Sequence, residues 1–339
     1  MTGPTTGPVT APVTGRAPVV PLPGGPVLGM TWGWTGVRGT WATPEAERSM
    51  DAMVESLATT WTAVTYAAEQ ATAQSTEIPF RDAPALTDDE VRWAVRAAKA
   101  RGQRVCLKPV VNVADGTWRA HIGFLEPDVP HEPTWSQWFA AYTEFVVHHA
   151  RIAAAEGAEM FCVGCEMVRA DAHADHWRAV VAAVREVYDG LITYNCDKYQ
   201  EDRLTWWDAV DVMSASGYYP LGQWEAQLDR IEEVVAREGK PFFFMETGCP
   251  SRSGSAALPN DWTLAGAPDP AEQERWYADM LAATAARPWV QGWVLWDWPA
   301  GLYAPQDAAT DDDYCPYGKP AADVIAATYR RLGGGGTSA

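Results

Sequence analysis

Met160-Phe161-Cys162-Val163-Gly164-Cys165-Glu166-Met167 is the stretch whose reading decides the fold. Pro241-Phe242-Phe243-Phe244-Met245-Glu246-Thr247-Gly248 repeats its pattern, with the second glutamate 246 − 166 = 80 residues further on. Short apolar runs bounded by Gly and Pro read as strands buried on both faces, the signature of a parallel sheet covered by helices. Each run ends on a carboxylate. The C-terminal ends of parallel barrel strands are where α/β barrels carry their chemistry.

The flanking sequence alternates in the same way. Further strands are expected at 27–34, 61–66, 104–113, 191–196, 212–218 and 290–298. Helix signals fill the gaps. Thr43-Pro44-Glu45 offers an N-cap, a first-turn proline and an acid, and Thr87-Asp88-Asp89-Glu90 has the form of a capping box. Helices are expected at 135–157, 176–189 and 224–239, from Asp269-Pro270 to about Arg287, and at 319–332, with a short helical piece near Trp206. Eight strand–helix units in one chain fit a single (β/α)8 TIM barrel of class α/β over residues 26–332. The competing open doubly wound sheet lacks its nucleotide-binding glycine motif, since neither GxGxxG nor GxxxxGK[ST] follows the first strand.

Residues 1–25, rich in Pro, Thr, Gly and Val, read as a disordered tail, and 333–339 as a flexible one. The N-terminal segment lacks the basic-then-apolar order of a secretory leader, and no run reaches membrane-spanning length. The formal net charge is −18, which argues against a nucleic-acid partner. Cys162 and Cys165 have CxxC spacing, but no second Cys/His pair stands at zinc-site spacing. As strand residues three apart they are expected on opposite faces. All six cysteines read as buried thiols, and with no export signal this points to the cytoplasm. A monomer without metal or organic cofactor is expected.

Two carboxylates at the mouth of one barrel suggest acid/base and nucleophile chemistry on a sugar. The chain has 18 tryptophans, and aromatic faces stack on the C–H faces of sugars. Trp32 and Trp34 after the first strand, and Trp296 and Trp298 on the last, are the candidate platforms. By alternation, Trp296 and Trp298 should share a side. Lys108 and Asn112 on the third strand, Asn195 and Asp197 at the end of the fifth, and Tyr218 or Tyr219 after the sixth are candidate partners for hydroxyls or for the strand-seven carboxylate. His121, His131, His173 and His176 form no HExxH and read as solvated.

Gly29-Met30-Thr31-Trp32-Gly33-Trp34, Gly164-Cys165-Glu166, Glu246-Thr247-Gly248 and Gly292-Trp293-Val294-Leu295-Trp296-Asp297-Trp298 together resemble glycoside hydrolase family 113 over roughly residues 27–332. The resemblance implies a clan of retaining (β/α)8 glycosidases and a β-1,4-mannanase acting on mannan or manno-oligosaccharides. Glu166 would be the acid/base and Glu246 the nucleophile. The clan's tyrosine role falls to Tyr218 or Tyr219, and its sugar platform to Trp296 or Trp298. One position departs: many members carry Asn immediately before the acid/base, and here it is Cys165. Retention implies carboxyls about 5–5.5 Å apart, inversion about 6.5–9.5 Å. The alternatives are a retaining enzyme for glucosides, glucosaminides or xylosides, and a sugar-binding barrel without turnover. The loops 250–268 and 300–316 are long enough to close one end of the cleft.

Overall fold

Eight parallel strands close on themselves because nearly every residue in them is buried, and a parallel sheet with no free edge leaves no backbone group unpaired. A computed structural model describes residues 19–334. The strands are β1 (Val27–Trp32), β2 (Trp61–Gln70), β3 (Arg104–Val113), β4 (Met160–Cys165), β5 (Leu191–Cys196), β6 (Val212–Ser216), β7 (Phe242–Thr247) and β8 (Val290–Trp298). They follow one another round the barrel in chain order. Outside lie α1 (Pro44–Leu57), α2 (Asp88–Ala100), α3 (Trp135–Glu156), α4 (Ala174–Arg185), α5 (Trp224–Glu238), α6 (Pro270–Ala285) and α7 (Pro320–Gly333).

Helix starts follow their capping residues. The Thr43 side chain accepts from the Ala46 amide, and the Thr87–Glu90 box is formed in both directions. One crossover departs from the eight-unit reading. Among the described residues, β5 and β6 are joined by a single 3-10 turn, Trp207–Ala209, with no α-helix. Trp206 and Trp207 cover the sheet there instead, their indole N–H groups donating to the Asp171 and Glu201 carbonyls at 3.1 and 2.9 Å.

The core has two parts. A small layer inside the barrel includes Val27, Cys106, Met160, Phe243, Met245 and Val294, and a larger one fills the space between strands and helices. Residues 1–18 and 335–339, which carry most of both expected tails, lie outside the described residues. Residues 20–25, assigned from sequence to the end of the N-terminal tail, instead floor the barrel. Leu22 is buried in the inner layer, Val20 and Leu22 bond the Gln291 side chain, and Arg104 donates to the Gly24 carbonyl at 2.6 Å.

Several strand ends also shift. β2 runs on to Gln70 because it pairs with β3 over its whole length, from Trp61↔Arg104 to Gln70↔Val113. β1 stops at Trp32, where Gly33 turns at φ +87° against the Trp41 ring. Cys162 and Cys165 both face the barrel interior rather than opposite sides, since the β4–β5 register slips between them. Such a bulge adds one residue and undoes strict alternation.

Gly292 in β8 has φ +129°, and a Cβ there would stand 2.0 Å from the Val27 carbonyl oxygen. Gly292→Ala is expected to destabilise the fold by about 3 kcal/mol or more, from backbone strain and overpacking together. Chemical denaturation measures this, and a loss below about 1 kcal/mol would show that β1 and β8 can part without penalty.

Candidate active site

The side chains of Glu166 and Glu246 meet at the C-terminal mouth of the barrel. Glu246 is the fifth residue of β7 and is buried. Lys108, fully buried on β3, forms an ion pair with its Oε1. Tyr218 OH donates to Oε2 at 3.2 Å, and the Cys165 thiol donates to Oε1 at 3.3 Å. Glu166 follows the last residue of β4 and takes φ +53°. A non-glycine residue in this region costs about 1–3 kcal/mol, and such strain gathers at functional sites. Here it ends the strand. Arg119 Nη1 donates to Glu166 Oε2 at 2.9 Å, and Ser216 Oγ to Oε1 at 2.7 Å. Arg119 is itself held by Asn112, whose Oδ1 accepts from Nε at 3.0 Å.

Charge at the floor of the site is balanced by design of the sequence. Burial alone would raise the Glu246 carboxyl, but Lys108 and Arg119 outweigh it and hold the group below the usual carboxylate range. Lys108 is likewise kept charged, against its burial, by the Glu246 carboxylate it pairs with. Burial and Glu246 push the Cys165 thiol well up, so it stays an S–H donor. Two further carboxyls stand on the cavity wall, Asp197 with the Lys198 ammonium 4.0 Å from its Oδ1, and Asp297. Burial and Glu166 push Asp197 up to about 8, and burial and Asp313 push Asp297 up to about 7. Asp197 Oδ1 has no hydrogen-bond partner. A buried neutral carboxyl facing a cavity can donate to a sugar oxygen.

A cavity of about 450 Å³ opens over this floor, within the range of small-ligand sites. Trp34 and Trp296 line it with ring centroids 5.0 Å apart. The Arg119 guanidinium lies 5.3 Å from the Trp34 ring, and the Lys108 ammonium 5.9 Å from that of Trp296. Cys165, Glu166 and Glu246 bring one sulfur and two carboxylate oxygens within 4.8 Å of one another. Lys108 and Arg119 supply these two carboxylates with cations.

Of the residues singled out from sequence, Glu166, Glu246, Trp34, Lys108, Asn112, Tyr218 and Trp296 come together here, and Asp197 joins them. Four others do not line the cavity. Trp32 and Trp298 are buried behind the barrel wall, their indole N–H groups both bonded to Ser49 on α1, at 3.3 and 3.1 Å to Oγ. Trp298 parts from Trp296 because four residues of β8, Leu295 to Trp298, oppose three of β1, Met30 to Trp32. The bulge breaks the alternation that would have put both on one face. Tyr219 turns outward to Glu201, donating to Oε1 at 2.8 Å. Asn195 lies beneath the floor and donates to Cys165 Sγ at 3.1 Å, acting through that thiol. None of the four singled-out histidines lines the cavity.

Sequence reading passed over Arg119 and Ser216. The alternation of Ser214 and Ser216 in a buried strand was a readable sign of inward hydroxyls. Arg119, one arginine in a long loop, carried no pattern.

A closed (β/α)8 barrel with two facing carboxylates, one of them held ionised, under paired tryptophans defines a glycoside hydrolase. Residues 30–319 match the profile of Glycoside Hydrolase Family 113. The chain belongs to that family. Two solved structures of family 113 β-1,4-mannanase, one of them a complex, are each 50% identical to it with TM-score 0.89; each alignment covers 90% of this chain, and 99% or 98% of theirs. The β-mannanase AaManA from Alicyclobacillus acidocaldarius, in complex with ManMIm, is 43% identical with TM-score 0.88, over 91% of this chain and 98% of that one. A comparison with curated proteins finds no match.

Lys108→Met is expected to raise the Glu246 carboxyl, since burial is then opposed only by Arg119 and the Cys165 hydrogen bond. The sign follows: the nucleophile must be ionised, so the acid limb of kcat/KM should move up by about 2 pH units. A pH–rate profile with an unmoved acid limb would refute the role of the pair. Trp296→Ala should abolish most turnover with little change in stability. Trp298→Ala should lose about 3–5 kcal/mol of stability with kcat/KM per folded molecule within a few-fold of wild type. Paired kinetics and denaturation separate the two.

Proposed function

We propose that this chain hydrolyses β-1,4-mannosidic linkages with retention of anomeric configuration, acting on mannan or manno-oligosaccharides. The observation that carries the reading is the approach of the Glu166 and Glu246 oxygens to within 4.8 Å. An approach this close suits the retaining separation of about 5–5.5 Å better than the inverting one of about 6.5–9.5 Å. The linkage rests on the family and on the β-1,4-mannanase activity named for the two 50%-identical structures.

Glu246, ionised between Lys108 and Tyr218, attacks the anomeric carbon as Glu166 protonates the leaving oxygen. The bond to the departing sugar breaks and a glycosyl ester forms on Glu246. A water then gives its proton to Glu166, attacks the same carbon from the opposite side, and frees Glu246. Trp296 and Trp34 supply the apolar face under the reacting ring. Asp197 and Asp297, raised by burial to about 8 and about 7 and so partly protonated near neutrality, offer donors to its hydroxyls.

The six cysteines are free and buried, which suits a reducing compartment and supports the proposal of a cytoplasmic enzyme. Its substrates would then be short imported oligosaccharides.

Incubation with manno-oligosaccharides and a panel of aryl β-glycosides tests the assignment, with Glu166→Gln and Glu246→Gln alongside. Cleavage of manno-substrates should fall by at least about 10³-fold in both variants, with the β-anomer as first product by NMR. An α-anomer as first product would rule out the double displacement. Faster turnover of polymeric mannan than of mannotriose would count against the imported-oligosaccharide reading.

A further inference from the structure

Glu166 sits on backbone turned to φ +53°, and a strained conformation persists only where its surroundings over-determine it. Arg119 and Ser216 fix its carboxyl oxygens. The backbone under them is fixed from β5. The Glu166 amide donates to the Asn195 carbonyl at 2.8 Å, and the next amide, that of Met167, donates to the Tyr194 hydroxyl at 3.0 Å. Tyr194 immediately precedes Asn195. Two neighbouring residues of one strand therefore hold two neighbouring amides at the turn that aims the Glu166 carboxyl.

The Tyr194 hydroxyl can accept from Met167 because its single proton goes elsewhere. It donates to Asp171 Oδ1, in the 3-10 turn Ala170–Ala172 that follows β4. Both side chains are buried, and the Tyr194 ring packs against Trp177 and Trp206 with centroids 5.2 and 4.8 Å away. Asp171 Oδ2 has no hydrogen-bond partner, and among the described residues no cation pairs with the carboxyl. Burial raises it to about 7, against the pull of Tyr194. An unpaired carboxyl is costly to bury among aromatic rings, and an apolar side chain would pack there without that cost. What Asp171 supplies instead is an acceptor for Tyr194, since a hydroxyl that donates to a carboxylate accepts more strongly in turn. Its backbone closes the same turn, the Asp171 amide donating to the Met167 carbonyl at 2.9 Å. The Arg169 amide ties the turn to the segment that carries Arg119, by donating to the Ala120 carbonyl at 3.3 Å.

We propose that Tyr194 and Asp171 are positioning residues for proton transfer, acting through the Met167 amide to hold the Glu166 carboxyl in line with the leaving oxygen. The proposal rests on the reading of Glu166 as the acid/base of a retaining hydrolase. Neither residue touches the cavity. Glu246 is held by Lys108, Tyr218 and Cys165, through bonds that bypass the Tyr194–Asp171 couple. Loosening the couple therefore misplaces the proton donor and leaves the nucleophile where it is. A displacement of about 1 Å in a reacting group is enough to cost about 10²-fold in rate.

The test compares wild type, Tyr194→Phe, Asp171→Asn and Glu166→Ala on mannotriose and on 2,4-dinitrophenyl β-mannoside, whose leaving group needs no proton. With Tyr194→Phe, which keeps the packed ring, kcat/KM for mannotriose should fall roughly 10- to 100-fold. For the dinitrophenyl glycoside kcat/KM should stay within about 3-fold of wild type, because Glu246 attacks unaided, while kcat falls for want of a well-placed base. Added azide should restore that kcat. It needs no base: it attacks the anomeric carbon of the glycosyl ester, the electron pair of the breaking bond returns to Glu246, and β-mannosyl azide is released. Asp171→Asn keeps an oxygen for the Tyr194 proton, so its loss on mannotriose should be smaller, roughly 3- to 10-fold. An equal loss on both substrates without an azide response would overturn the proposal, and so would a fall in stability with the substrate ratio unmoved. Should Tyr194→Phe not fold, Asp171→Asn decides by the same ratio. Glu166→Ala separates the two readings. If it lacks the spared activated substrate and the azide response, the acid/base reading fails and the positioning with it. If it shows them and Tyr194→Phe does not, the positioning alone falls. If wild type cleaves another β-linked sugar, the mannan assignment falls, and the corresponding pair of substrates in that sugar decides the positioning.

Discussion

The ion pair between Lys108 and Glu246 is the constraint around which the rest of the site is arranged. Both groups are buried in the mouth of a closed barrel, where an unpaired charge would cost several kcal/mol. The pair is tolerable only because each partner has further company: Tyr218 and Cys165 on the carboxylate, Trp296 beside the ammonium. Arg119 and Glu166 form a second pair beside it. Two cations thus face the two glutamates, and a third, Lys198, stands 4.0 Å from Asp197 on the cavity wall. Burial, with Glu166 beside Asp197 and Asp313 beside Asp297, raises these two carboxyls on the same wall to about 8 and about 7. The balance also has a kinetic consequence. Forming the glycosyl ester removes the charge of Glu246, and giving its proton to the leaving oxygen leaves Glu166 ionised, so Lys108 and Arg119 still have one carboxylate to offset. The remaining carboxylate is Glu166, the base that the second step needs.

Much of this was legible in the sequence, and for identifiable reasons. The apolar runs around Glu166 and Glu246 are too short and too apolar to be anything but buried parallel strands, and a buried glutamate at a strand end has few structural uses. Lys108 and Asn112 could be paired by parity because β3 is regular and matches β2 residue for residue. The family resemblance rested on four short motifs in order, and all four lie on or beside β1, β4, β7 and β8.

What was not legible depends on departures from regular backbone. Alternation put Trp298 with Trp296, and the β8 bulge separates them. It put Cys162 and Cys165 on opposite faces, and the slip in β4 brings both inside. Tyr218 and Tyr219 were equal candidates because both follow the last residue of β6, where no period applies. Only the packing of Tyr219 against Trp224 and its bond to Glu201 decides between them. Arg119 enters from a loop, and loop residues reach a site through tertiary contacts that no local pattern encodes.

These irregularities cluster where the chemistry is. Register slips fall between Cys162 and Cys165, between Ala215 and Ser216, between Phe244 and Thr247, and opposite Trp296. Glu166 itself sits at φ +53°. A regular barrel points every second side chain inward at a fixed spacing along each strand. Two carboxylates, a thiol, a serine and a lysine cannot then converge on one small volume, because neighbouring inward positions on a strand are two residues apart. Slipping the register by one residue near the mouth brings Cys165 and Ser216 to the level of Glu246, and the left-handed turn at Glu166 allows two successive residues of one chain to face the same cavity. The strain and the broken alternation that defeat a sequence reading are therefore the means by which the barrel brings its reactive groups together.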